Sequence, residues 1–220
     1  MKQNRITHLL GIQHPIIQGP FGGGISSVSL TSTVSNAGGM GSFGAHYMNT
    51  QQIESLVSDI RLHTQKPFAI NLWVSDHDDD GLSLSNTAFE QAYKVLQPYF
   101  EELGLDKPHY PESFGVTFDE QIEGIFTSAP PVFSFVYGLP SPEVLKECAK
   151  RNITTIGTAT TLDEAIALDD AGVDLIVATG FEAGGHRVSF LRNAKNSLVG
   201  TFALIPQVVD HVRAPIIAAR

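Results

Sequence analysis

A single cysteine, Cys148, occurs in 220 residues. No intrachain disulfide can form, which fits a reducing compartment. Cationic residues are also few: 14 Lys and Arg against 23 Asp and Glu leave a formal charge of -9. An acidic surface argues against a nucleic-acid or anionic-membrane partner, although one pocket can still be locally positive and accept a small anion. There is no run of about 20 apolar residues, so nothing is expected to span a membrane. Met1 to His8 has no apolar core of the secretory type, and the expected location is cytoplasmic. What is present, 42% hydrophobic and 17% charged residues, suits one soluble domain with a sizeable core.

Short apolar runs alternate with helical patterns along the chain. Strands are expected at Pro15–Gln18, Met40–Gly44, Pro67–Val74, Pro131–Tyr137, Thr154–Thr158, Val173–Ala178 and Pro215–Ala219. Between them, helical spacing begins at Val28 and stops at Gly38-Gly39. A second helix, capped by Thr50, puts Ile53, Leu56, Val57 and Ile60 on one face. Ser141-Pro142 opens another, and Thr161 with Glu164 forms a capping box for the next, which Gly172 ends. Leu204, Val208, Val209 and Val212 mark the last. A polar insertion at about 75–111 carries one helical pattern, which Pro98 should kink or interrupt. Within it, Asp76 to Gly81 copies the first half of a calcium loop. Thr87 stands where the bidentate glutamate belongs, so a solvated acidic turn is the expected reading, with no metal site.

Seven strands alternating with helices imply a parallel α/β sheet with right-handed crossovers, in a single domain over 1–220. Periodicity does not separate a closed (β/α)8 TIM barrel from an open doubly wound sheet. Glycine-rich loops after the first, second and sixth strands favour a site built from several βα loops at one end, hence the barrel, with an eighth strand missing.

The sixth strand runs into Gly180-Phe181-Glu182-Ala183-Gly184-Gly185-His186-Arg187. Three glycines in six residues let the backbone turn sharply and approach a bound group closely. The histidine at the end of that turn belongs to the residue type whose ordinary pKa, about 6.5, suits proton transfer near neutrality. A lone loop histidine is more often a surface or packing residue, and Gln18 and Asn71 at strand ends need do no more than satisfy loop amides. Glu182 is expected to orient the loop or pair with Arg187. His14, His46 and His211 are expected to be structural or solvated. Phe133, Phe135 and Tyr137 alternate on one strand, and Tyr137, nearest the loop, is the one placed to reach a pocket.

Five pieces together resemble the nitronate monooxygenase family, formerly the 2-nitropropane dioxygenases. They are Pro15 to Pro20, Gly38 to Gly44, Asn71, Ser134-Phe135 with Gly138-Leu139-Pro140, and, most specific, Glu182-Ala183-Gly184-Gly185-His186-Arg187. The resemblance implies an FMN-dependent TIM barrel that oxidises alkyl nitronates with molecular oxygen to carbonyl compounds and nitrite. It implies that the loop of Gln18, Gly19, Pro20 and Phe21 runs along the flavin and that Asn71 hydrogen-bonds it. Gly184 and Gly185 would approach the cofactor closely, and His186 would remove the α-proton of a neutral nitroalkane or help hold a preformed nitronate. Thr179 stands at a flavin contact where many relatives carry Gln. The family places much of its FMN phosphate site beyond the seventh strand, so a C-terminally truncated chain is expected, possessing two open strand edges and capable of homodimer formation. The rival readings are a flavin-dependent enoyl-acyl carrier protein reductase, with a similar histidine loop, and an inactive fragment that lacks the phosphate site.

Overall fold

The computed structural model describes residues 4–74, 85–111 and 115–219. Six strands form one parallel sheet in sequence order: β1 (Gly41–Gly44), β2 (Phe68–Trp73), β3 (Val132–Val136), β4 (Thr154–Ala159), β5 (Leu175–Thr179) and β6 (Ile216–Ala219). The sheet curls into an open section of a TIM barrel. The first of the seven expected strands is reduced to a single parallel bridge, Ile17 to Met40. Pro15 offers no N–H to a ladder, and this segment lies at the sheet's edge.

Helices connect the strands: α2 (Val28–Asn36), α3 (Thr50–His63), α4 (Asn86–Glu102), α5 (Phe118–Ser128), α6 (Pro142–Lys150), α7 (Leu162–Asp170) and α8 (Thr201–His211). Strand alternation sorts the two faces. Phe68, Ile70, Leu72, Phe133 and Phe135 point outward and pack with Ile53, Val57, Ile125, Leu168 and Val208 of the helices. Full burial of Phe133 and Phe135 stabilises by about 1.5–3 kcal/mol each. Ala69, Val132, Ile156 and Leu175 point inward.

A helix that the strand pattern does not announce, α1 (Arg5–Leu10), covers the inner face from below. Asn4 caps it reciprocally with Thr7, each side chain accepting from the other's backbone N–H at 2.9 Å. Leu10 and Ile12 then pack on Met40, Ala69 and Leu175.

One local expectation is corrected and another is narrowed. The cap of α3 is Asn49, paired reciprocally with Gln52, while Thr50 donates its hydroxyl to the Glu120 carbonyl at 2.6 Å and so ties α3 to α5. Pro98 does not interrupt α4. The helix is exposed there, so the carbonyl at 94 that loses its donor can turn to water. The acidic turn of Asp76 to Gly81 lies outside the described residues. Among the described residues, no helix is long and apolar enough to cross a membrane.

Candidate functional site

The carboxyl ends of β1, β2, β3 and β5 converge on a cluster of rings. In the β1–β2 register Gly44 lies opposite Asn71, so His46 and Trp73, each two residues further on, stand side by side. Their rings are stacked, 3.9 Å between centroids and 2° apart. Tyr137, just beyond β3, meets Trp73 edge-on at 5.0 Å, and His186, beyond β5, does so at 5.5 Å. Tyr137 has φ 65, a left-handed conformation that costs an aromatic residue about 1 kcal/mol or more. Strain of this kind concentrates at functional sites. Burial raises the Tyr137 phenol above its ordinary pKa. His46 is pushed below its ordinary value, first by burial and then by the neighbouring charge of His186.

Two anchors hold the loop that carries His186. At its start, the Glu182 carboxylate accepts from the backbone N–H of Thr201 at 2.9 Å. Gly200, the residue before α8, has no side chain to cap that helix, and Glu182 supplies the missing anion. At its end, Arg187 donates to the carbonyls of Thr179 at 2.8 Å, Thr160 at 2.9 Å and Ser197. Burial draws the Arg187 pKa down, while the charges of Glu164 and Glu182 oppose the fall. Glu182 was expected to orient the loop or pair with Arg187: its contact with Thr201 anchors the loop, and its charge acts on Arg187, whose guanidinium donates to carbonyl oxygens. Between the anchors, Gly185 has φ 90, which a residue with a Cβ would adopt only under strain. Nothing lies within 4 Å of where a Cβ would stand on Gly184 or Gly185, so the loop faces open space.

The remaining candidates sit around the same rim. Asn71 is buried on the inner face and donates to the Ser134 hydroxyl at 3.0 Å. Gln18 spans from its loop to β1: its backbone N–H donates to Met40, and its side-chain oxygen accepts from the Ser42 N–H at 3.1 Å. Gly19, Pro20 and Phe21 are exposed, with the Phe21 N–H donating to the Ser26 hydroxyl. A Cβ on Gly44 would meet the Phe21 carbonyl at 2.7 Å, which brings this loop onto the end of β1. Thr179 is half-buried at the end of β5. His186 itself is exposed but keeps its edge on Trp73, so the first, second, third and fifth strand regions share one rim.

His46 and Trp73 are the residues that sequence reasoning missed. Nothing about a histidine three residues past Phe43 marks it out. Only the register that sets it beside Trp73 does so.

A curled parallel sheet with α1 beneath its inner face, and a histidine-bearing glycine loop at the carboxyl ends of its strands, is the architecture of the (β/α)-barrel class. The sequence model of the nitronate monooxygenase family matches residues 3–220, and the chain belongs to that family. It is 42% identical over 98% of its length to a probable nitronate monooxygenase of Staphylococcus haemolyticus, of which it covers 60%. A probable nitronate monooxygenase of Staphylococcus aureus is also 42% identical, over 99% of this chain and 60% of its own. The chain thus spans about 60% of the length of these curated relatives. Among solved structures, nitroalkane oxidase from Streptomyces ansochromogenes superposes with a TM-score of 0.81 at 27% identity, over 97% of this chain and 59% of that one. FabK from Thermotoga maritima gives 0.70 at 25% identity, over 99% and 54%.

Proposed function

We propose that this chain forms the proton-handling part of an FMN-dependent nitronate monooxygenase, which oxidises alkyl nitronates with molecular oxygen to carbonyl compounds and nitrite. The carrying observation is the placement of His186 on a doubly anchored glycine loop against Trp73, at the end of the sheet where barrel sites lie. The residues present suit a flat, polar-edged cofactor. Asn71 and Gln18 supply amides on the inner face and rim, and Gly184 and Gly185 leave backbone without side chains beside open space. The 18–21 loop and Thr179 complete that border.

The flavin, when bound, supplies the electron transfer between the substrate and oxygen. This chain's residues do the rest. An imidazole nitrogen of His186 takes the α-proton of a neutral nitroalkane; with a preformed nitronate no proton need leave, and the same ring holds the anion. Glu182 and Arg187 keep the imidazole in place by fixing both ends of its loop, and Trp73 and Tyr137 limit where it can turn.

The test is oxygen uptake by the purified, flavin-loaded protein with ethyl nitronate, set against NADH and NADPH oxidation with an enoyl thioester. Nitronate-dependent uptake with nitrite release is expected. Reductase activity alone would instead favour the enoyl-acyl carrier protein reductase reading.

A further inference from the structure

The loop of residues 45–48 has no part in the proton transfer above, yet it is closely framed. Gln121 of α5, 2% exposed, donates its side-chain amide to the carbonyls of His46 at 2.8 Å and Met48 at 2.9 Å, with Ala45 at 3.4 Å. The Ala45 N–H in turn donates to the Asn71 carbonyl at 2.9 Å. The His46 side chain is fixed as well: one face lies flat on Trp73, and a Cβ on Gly22 would fall 2.1 Å from its Cε1. Glycine at 22 is therefore what lets the 19–24 loop close against this ring. Backbone, stack and flanking loop all specify one position for an imidazole at the rim, one ring away from His186.

We propose that His46 is a specificity-determining residue, its ring forming with Trp73 the wall against which the substrate's organic group lies while the reacting carbon is presented to His186. The proposal rests on the nitronate reading for the identity of that reacting carbon. Its geometry is simpler: Trp73 touches both imidazoles, so a group held at His186 that extends along Trp73 reaches His46 next. Burial and the neighbouring His186 favour the uncharged form of the His46 ring, and an uncharged aromatic ring receives hydrocarbon rather than charge. The substrate class follows: nitronates whose alkyl chain is long enough to cover the wall.

The experiment compares wild type, His46→Ala and His46→Phe as flavin-loaded protein, with melting temperature measured for each. Oxygen uptake gives kcat/KM for ethyl, butyl and hexyl nitronate. Calorimetric titration gives the affinity for acetate, butanoate and hexanoate, planar anions that cannot turn over. Each methylene on the wall should improve the wild-type value about two- to fourfold. His46→Ala should flatten both series, and the flat ring of His46→Phe should restore the slope. A uniform loss across both series in His46→Ala, or unchanged slopes, would overturn the proposal. Should wild type not consume nitronates, the functional reading fails by itself, and the carboxylate slope still decides the role of His46 by the same criteria.

Discussion

Glu164 and Phe190 are joined across 26 residues of chain: the fully buried Glu164 carboxylate accepts from the Phe190 backbone N–H at 2.7 Å. The same oxygen accepts from the Leu191 N–H at 3.2 Å, and the other takes the N–H and hydroxyl of Thr160 at 2.7 and 2.6 Å. The sequence pattern casts Glu164 as the reciprocal half of a capping box with Thr161. Thr161 does accept from the Glu164 N–H at 3.4 Å, but the carboxylate turns to Thr160 and to the segment after His186. One side chain therefore links the loop after β4 to the loop after β5.

Removing that carboxylate strands buried donors. Glu164→Ala should lower the unfolding free energy by about 3 kcal/mol or more, read as a shift in the urea midpoint. Glu164→Gln keeps one oxygen but sets an amide N–H2 against existing donors, and it should cost about 2 kcal/mol. If both variants melt with the wild type, the linkage contributes nothing to stability.

Asn71 offers a test of the cofactor border. It is 4% exposed, and its side-chain amide donates to the Ser134 hydroxyl. Asn71→Ala should release flavin about tenfold more readily, the loss of a hydrogen bond worth about 1.4 kcal/mol, measured as visible absorbance retained through gel filtration. Unchanged retention would remove Asn71 from the flavin site.

Cys148 should behave as a sensor of unfolding. Burial, followed by the charges of Asp174 and Glu147, raises its thiol to about 11. A folded pKa above the unfolded value, about 8.5, means the contribution to stability is complete below pH 8.5 and is lost as pH rises towards 11. An aromatic disulfide reagent at pH 8 should therefore label Cys148 only in denaturant. Rapid labelling of the native protein would contradict its burial.

Much of the architecture is legible in the residues themselves. Runs such as Val132 to Val136 and Leu175 to Thr179 are strands because they are short, apolar and bounded by turn residues. The position of His186 after a strand, in a glycine turn, also reads directly. Three features depend on partners distant in sequence. The Pro15–Gln18 segment pairs through only Ile17, because an edge next to a proline cannot extend its ladder. Glu164 bonds outside its box because Phe190 and Leu191 present their N–H groups to it. His46 joins the site because the β1–β2 register aligns it with Trp73, and register is a property of the folded pair. The α1 helix, by contrast, had a local signal: Asn4 and Thr7 at capping distance, then Ile6, Leu9 and Leu10, then Gly11.

The most direct measurement is the ratio of two rates in His186→Asn: turnover of neutral nitroethane against turnover of preformed ethyl nitronate. A fall of about 10²–10⁴ is expected for the neutral compound, which needs a base, and less than about tenfold for the ionised one. Equal losses on both substrates, or full activity on the neutral compound, would contradict the assignment of the proton to His186.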